Sequence, residues 1–365
     1  MKIKKIISRT IKREIARKEK ERLFQWEIDK IVKMRSGGCF TTLTKEQEDE
    51  VQSYFMKYYG ERISLLWHEY YLFANGCFSP KYITTDMYYN HIVPKLNNPA
   101  VMLVYSDKNM IRKLLGERVR LPKTYIQNIN GIFYSDEKII TKEHALSLCQ
   151  NIEDAIIKTC LESMQGKSIL RFSSKNGVVR GKNCPDSMEE LFNEYSKNFI
   201  VQAAIQQCET MSKLNPTSLN TVRVMTYWSQ KDGIVPLFEV ARMGRMGAVV
   251  DNASAGGLYC GVNEDGSLKA YAYTLAPFSK RTSSDMGLEF KNFKIPMFEQ
   301  ILAKAIELHE QLPYAKLIGW DFAIDSNNEI ELVEINARMP GVFQVATGPA
   351  FGKYTEEILE YCKRG

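Results

Sequence analysis

Three oxygen-bearing side chains near the C-terminus, Asp321, Glu334 and Asn336, have the types and spacing to do chemistry. They lie in two β-prone runs, Ile318–Ile324 and Glu329–Asn336, separated by Asp325-Ser326-Asn327-Asn328. Asparagine tolerates the positive φ that tight hairpin turns demand, so Asn327 and Asn328 are the natural turn residues. Ser326 then faces Glu329, and counting back sets Asp321 directly across from Glu334. Asn336 falls on the same face as Glu334, because side chains alternate along a strand. Opposed Cβ atoms are about 5 Å apart, where two carboxylates repel unless a cation lies between them. Two carboxylates and an amide oxygen are hard ligands of the kind Mg2+ takes beside phosphate oxygens. A solvated hairpin with scattered acids is the ordinary alternative, and the hairpin alone does not separate the two.

The elements upstream supply cations. Asp154–Lys158 reads as a buried strand ending in a lysine, followed by a polar loop over 161–168 and another apolar strand at Ile169-Leu170. A lysine at a strand end can set its ammonium against phosphates, and the backbone N–H groups of a loop can serve the same anion. A plain hairpin with surface lysines would look the same. Phe199–Ile205 is an apolar strand running into a polar connector that holds Glu209. Leu219–Tyr227 is a strand that puts Thr221, Arg223 and Met225 on one face, and Arg223 gains interest only if that face meets the acidic hairpin.

The N-terminal third reads differently. Ser36-Gly37-Gly38 ends a first helix as a hinge, residues 44–75 read as helical with Thr44 as N-cap, and Val101–Tyr105 reads as a short apolar strand. Beyond residue 100 short strands alternate with helices, which gives an α+β or α/β body. A chain of 365 residues can bury a large core and divides into two or three domains. No apolar run approaches the roughly 20 residues that span a bilayer, and the start lacks the apolar block of a secretory signal. Eight scattered cysteines without a Cys-x-x-Cys pair, and only four histidines, point to reduced thiols in the cytosol and away from a zinc site.

The overall net charge of +6 is uneven: residues 1–35 hold thirteen Lys or Arg against five Asp or Glu. Ile3, Ile7, Ile11 and Ile15 recur every four residues among them, which makes a basic amphipathic helix. Such a helix can lie on anionic lipid as a peripheral membrane contact, or pack its isoleucine stripe on its own domain or a second copy. Nucleic acid is not an expected partner, since the excess charge is confined to one arm and no recognition motif follows. Nothing in the sequence sets the oligomeric state.

In order, these pieces resemble the ATP-grasp superfamily, and within it the sugar-transfer-associated ATP-grasp proteins related to α-L-glutamate ligases. The landmarks are Ser106-Asp107-Lys108-Asn109, Ile156-Ile157-Lys158 with its loop, Phe199-Ile200-Val201-Gln202, and Leu214–Arg223. Asp251-Asn252 with Gly256-Gly257, Gly319-Trp320-Asp321 and Glu334-Ile335-Asn336-Ala337-Arg338 complete them. The resemblance implies an α+β, ATP-grasp fold in which two α/β subdomains grip ATP, after an N-terminal helical region. Its boundaries would be a basic helix over 1–38, a helical region over 39–98, the first ATP-grasp part over 99–203 and the second over 204–365.

The same resemblance implies a role for each matching residue. Asp321, Glu334 and Asn336 would hold Mg2+ bridging the ATP phosphates. Lys108 and Lys158 would contact those phosphates, under a closing loop that includes Ser163, Gly166 and Lys167. Gln202, Ala203, Ala204 and Ile205 would present backbone to the adenine edge, with Glu209 at the ribose. Arg223 and Arg338 would face the γ-phosphate and the carboxylate it activates, and Asn252 would belong to a mobile loop near the acceptor. The phosphate loop departs from the family in having one glycine. A rival lid, Ser173–Gly181 with Arg171 as its cation, therefore stays open.

The implied activity is that of an ATP-dependent carboxylate–amine ligase working through an acyl phosphate. It would join an amino acid to a sugar or uronic-acid derivative in surface polysaccharide biosynthesis. Such chemistry needs no side-chain nucleophile, in keeping with the lack of a Ser/His/Asp or Cys/His constellation. The alternatives are a phosphotransferase acting on a sugar hydroxyl and a degenerate ATP-binding scaffold at the membrane.

Overall fold

The computed structural model describes residues 25, 27–161, 169–248, 251, 256–275 and 278–363. The chain divides into two compact units, residues 1–96 with 342–365, and residues 97–341.

The first unit is helical in its described residues. A helix over 27–36 buries Ile31, and two more run over Lys45–Tyr58 and Leu66–Asn75. The helical reading of 44–75 holds, with a break at 59–65. Thr44 caps the first of these helices as expected: its hydroxyl accepts the Gln47 N–H, and the Gln47 amide oxygen accepts the Thr44 N–H in return. Aromatic residues fill the core, among them Phe55, Trp67, Tyr71, Tyr82 and Phe351. Gln344 fastens the C-terminal segment by accepting the Ile83 and Ala350 N–H groups and donating to the Tyr71 hydroxyl and the Ile83 carbonyl.

The second unit opens with a correction. Val101–Tyr105 is not a strand but part of a helix over Pro99–Tyr105. Asn98 caps it through the Ala100 N–H, and Pro99 at the first helical turn loses nothing by lacking a donor. Local start signals outweighed the apolar run.

Two antiparallel sheets follow. Among the described residues the first contains β1 (Thr124–Ile129), β2 (Ile132–Ser135), β3 (Lys138–Ile140), β4 (Ile152–Thr159), β5 (Ile169–Lys175), β6 (Val178–Arg180) and β7 (Phe199–Ala203). Its order is β3-β2-β1-β7-β4-β5-β6. The second contains β8 (Thr221–Ser229), β9 (Gly233–Met243), β10 (Leu258–Val262), β11 (Leu268–Thr274), β12 (Ser279–Arg281), β13 (Leu317–Ile324) and β14 (Ile330–Asn336). Its order is β12-β11-β10-β9-β8-β13-β14.

Each sheet has one apolar face and one polar face. In the first, Ile126, Ala155, Ile157, Phe172 and Val201 pack on Leu191 and Phe192 of a helix over Met188–Tyr195. Alternation sends Lys158 and Gln202 to the other side. In the second, Val222, Val224, Ala241, Trp320, Phe322 and Ile335 bury against Ile301, Ala305 and Leu308 of a helix over Phe298–His309. Thr221, Arg223, Arg242, Asp321, Glu334 and Asn336 share the opposite face, as the register Arg223↔Asp321↔Glu334 and Thr221↔Arg242 shows.

All eight cysteines are free thiols. Among the described residues no helix is long and apolar enough to cross a membrane.

Candidate functional site

Asp321 pairs with Glu334 across the β13–β14 hairpin, and Gly319 with Asn336. The pairing is the one counted from the sequence, but the turn is not. Asp325 donates its N–H to the Glu329 carbonyl and accepts that of Asn328, so the tip is three residues, 326–328. Only Asn328 of the two asparagines has positive φ, at 59°. The register at the tip is therefore one residue out from the count. Val333 restores it: Phe322 pairs with Leu332 and Asp321 with Glu334, leaving Val333 as a bulge without an opposite number. The bulge also explains how Leu332 and Ile335, three apart, both reach the core.

Asn97, 1% exposed, holds the base of the hairpin. Its amide donates to the Leu317 and Ala337 carbonyls and accepts the Lys316 and Leu317 N–H groups.

Asp321 is 2% exposed and fully engaged. Arg223 grips it in a fork, Nε to Oδ1 and Nη2 to Oδ2, both 2.5 Å. Arg242 Nη1 reaches Oδ2 at 2.7 Å, and Asn336 Nδ2 the same oxygen at 3.4 Å. Burial works against the Asp321 charge, yet the two arginines together hold its carboxyl below the usual carboxylate range. Arg242 Nη2 also lies 3.3 Å from Asp251 Oδ1, while Thr221 Oγ1 donates to Asp251 Oδ2. Burial lifts the Asp251 carboxyl above its ordinary value in spite of Arg242.

Glu334 meets Lys108 instead, Nζ to Oε1 at 2.8 Å, and its side chain is 30% exposed. Burial opposes the charge on both partners, but each outweighs it for the other: Glu334 ends below its ordinary value and Lys108 above. Lys158, 3% exposed, approaches the same pair from β4. Its burial, with the Lys108 charge beside it, pulls its ammonium down to about 8, against some relief from Glu334. Lys108, Lys158, Arg223 and Arg242 thus surround Asp321, Glu334 and Asp251, an excess of cation suited to anionic oxygens.

The polar face of the first sheet continues toward the end of β7. Gln202 donates to the Thr124 hydroxyl, 3.1 Å, and to the Pro122 carbonyl, 3.5 Å. The N–H groups of Ala203 and Ala204 are bonded to the Lys123 and Asp154 carbonyls, and Ile205 lies past the strand end. Glu209 is exposed at the start of a short helix. A cavity of about 600 Å³ opens beside this face, with Lys108, Lys123, Thr124, Gln127 and Gln202 in its wall.

The rival lid segment is a regular hairpin. Residues 173–181 form the β5–β6 hairpin, turned by Asn176 and Gly177 at φ 50° and 76°. Arg171 is bound in a fork to Asp154, at 2.7 and 2.5 Å. Gly181 is a packing glycine, since a Cβ there would lie 2.4 Å from the Arg171 carbonyl oxygen. Ser163, Gly166, Lys167 and Asn252 lie outside the described residues. Arg338 is exposed, with its N–H donated to Ser106 Oγ.

Two features were missed from the sequence. Arg242, an arginine in the β9 segment Phe238–Met243, is the larger; a cation at a position that β9 alternation assigns to the Arg223 face was the signal. The second is a polar knot. Gln207 uses its whole amide, accepting the Asn220 N–H and side-chain donor and donating to the Asn215 and Ser218 carbonyls. Ser218 Oγ and Thr217 Oγ1 accept the Gly244 and Gly247 N–H groups. Ser326 N–H bonds the Gln206 carbonyl. The knot ties the exit of β7, the entry to β8, the exit of β9 and the hairpin tip into one frame.

Two antiparallel sheets, with a buried lysine on one, an acid–arginine face on the other and Lys108 paired to that face, define an ATP-grasp protein. The chain belongs to the sugar-transfer associated ATP-grasp family, whose profile matches residues 88–359. A search of curated proteins finds no sequence match. Similar solved structures include an N5-carboxyaminoimidazole synthetase from Staphylococcus aureus complexed with ADP. It is 11% identical, with 72% of this chain and 51% of that one covered and a TM-score of 0.37. The ATP-grasp ligase PsnB, complexed with minimal precursor, Mg and ADP, is 11% identical over 74% of this chain and 62% of its own, TM-score 0.40. The VanG D-Ala:D-Ser ligase from Enterococcus faecalis is 11% identical over 71% and 61%, TM-score 0.39. The chain therefore spans less than two thirds of the length of each of these proteins.

Among the described residues no three His, Cys, Asp or Glu side chains cluster as a metal site. A Mg2+ site here would rest on two carboxylates and an amide. The donors fit in kind: Asp321 and Glu334 are directly opposed, Asn336 adjoins Asp321, and all three carry hard oxygens, those of Asp321 held by Arg223 and Arg242.

Proposed function

We propose that this chain is an ATP-dependent carboxylate–amine ligase. The observation that supports it most is the convergence of Lys108 and Lys158 on the carboxylate pair Asp321–Glu334 while Arg223 grips Asp321 from behind. Asp321, Glu334 and Asn336 would hold Mg2+, which supplies charge neutralisation on the ATP phosphates when bound. Lys108 and Lys158 would hold phosphate oxygens in place, and Lys158, lowered to about 8, would be fully charged once an anion lies against it. Gln202 to Ile205 would flank the adenine and Glu209 the ribose. Arg223 and Arg338 would orient the γ-phosphate and the carboxylate, whose oxygen attacks phosphorus and expels ADP. The acyl phosphate so formed would then lose phosphate to an amine. Catalysis of this kind comes from positioning and electrostatics rather than from a side-chain nucleophile.

On this reading the two substrates are an amino acid and a sugar or uronic-acid derivative, used in surface polysaccharide assembly in the cytoplasm. The basic segment 1–35 would bring the chain to the inner face of the membrane; loss of binding to anionic vesicles on removing it tests that part. Hydroxylamine tests the chemistry. With a ligase, hydroxylamine displaces phosphate from the acyl phosphate to give a hydroxamate, with ATP consumed in proportion. A phosphorylated sugar without hydroxamate would make the chain a phosphotransferase and overturn the proposal.

A further inference from the structure

Arg242 stands out because its contacts are complete on one side and missing on the other. The side chain is buried, 8% exposed, and its two terminal nitrogens are shared between Asp321 and Asp251. Among the described residues its buried Nε has no hydrogen-bond partner. A guanidinium has five donors in a fixed fork, and a buried one left unmade is costly. A side chain so placed is divided between two carboxylates rather than locked to one.

Asp321 shows the reciprocal problem. Arg223 occupies both its oxygens, and Arg242 adds a third strong contact, on Oδ2. A divalent cation bound to Asp321 must share or take that oxygen, and two cations cannot press on one oxygen without repulsion. Arg223 has a fork and lies directly opposite in the register, so it holds its place. Arg242 holds Asp321 by one nitrogen only and has Asp251 to fall back on.

We propose that Arg242 is a positioning residue that competes with the divalent cation for Asp321. In the empty protein it neutralises Asp321 and keeps the cation affinity low. When the cation arrives with its own anionic ligand, Arg242 shifts toward Asp251. Its freed Nη1 then faces whatever anionic oxygen lies beside the metal, while Nε, on the same edge as Nη2, turns with it toward Asp251. The cation thus loads together with the nucleotide rather than ahead of it. The inference rests on the metal reading of Asp321, Glu334 and Asn336, but not on ligase chemistry, so a failed hydroxamate trap would leave it standing.

The test is direct Mn2+ titration of the nucleotide-free full chain, followed by loss of the free-ion EPR signal. Arg242→Gln should bind Mn2+ at least tenfold more tightly than the unaltered chain, and the gain should vanish in Arg242→Gln/Asp321→Asn. Asp251→Asn, which leaves Arg242 wholly to Asp321, should move affinity the opposite way. A general loss of packing would move both variants in the same direction. Lys158→Gln removes one charge from the same cluster but no bond to Asp321, and should give a gain several-fold smaller than Arg242→Gln. Equal gains from Lys158→Gln and Arg242→Gln, no gain from Arg242→Gln, or no Mn2+ binding by any variant would each overturn the proposal.

Discussion

The polar faces of the two sheets handle buried charge in opposite ways. On the second sheet the three carboxylates of the charge cluster each meet a partner: Asp321 two arginines, Asp251 Arg242 and Thr221, Glu334 Lys108. On the first, Lys158 is buried beside another cation, with only partial relief from Glu334, and its ammonium is lowered as a result. A satisfied network fixes geometry, and its members are costly to remove singly. An under-compensated ammonium is a standing cost that only an incoming anion relieves. The Arg223–Asp321 fork is built to stay as it is, and Lys158 to wait for a ligand.

The largest effect should come from breaking the satisfied side. Asp321→Asn leaves Arg223 and Arg242 buried against a neutral amide and should cost about 3–5 kcal/mol in denaturant unfolding. Next is the knot between the sheets, where Asn220→Ala removes the side-chain donor to the Gln207 amide oxygen and to the Met211 and Asn215 carbonyls and should cost about 2–3 kcal/mol. Lys158→Met should go the other way, stabilising the chain at pH 7 by about 1–3 kcal/mol while weakening ATP binding at least tenfold. A destabilised Lys158→Met would erase the contrast between the sheets.

The pH dependence follows from the same lysine. Burial takes its ammonium from the ordinary 10.5 to about 8, so between those values the unfolded chain holds a proton that the folded chain lacks. Stability from this group therefore rises with pH across that window. ATP binding runs opposite: phosphate favours the ammonium, so affinity should fall as pH climbs above about 8. Calorimetry near pH 8.5 in buffers of different ionisation heat should show proton uptake on ATP binding, absent in Lys158→Met. The smallest expected effect lies away from both faces. Asn328→Gly at the hairpin tip should change stability by no more than about 0.5 kcal/mol, since glycine adopts positive φ freely.

Much of the site was legible because strand alternation is a strong rule. Two runs and a turn sufficed to oppose Asp321 and Glu334, and apolar alternation put Arg223 on their side. The turn itself was misjudged, since a bulge at Val333 cannot be seen in a pattern that both registers satisfy. Val101–Tyr105 looked like a strand because its apolar residues are consecutive, yet Asn98-Pro99 carried the helix start. Arg242 escaped notice because its partners lie on β13 and after β9, far off in sequence. The knot escaped for a related reason: Asn215, Ser218 and Asn220 read as an ordinary polar loop until Gln207 is brought to them.

The Val333 bulge has a practical consequence for engineering. It takes up the odd residue of the three-residue tip, so tip length and acid pairing are set by separate parts of the hairpin. Residues 326–328 are exposed, while Asp325 and Glu329 close the turn beneath them. A short tag or fluorophore-bearing insert between Asn327 and Asn328 can thus be carried as cargo without slipping the strands. Deleting Val333 with the tip unchanged would remove the bulge alone: Phe322 would still meet Leu332 and Asp321 would still meet Glu334, now as consecutive pairs of a regular ladder.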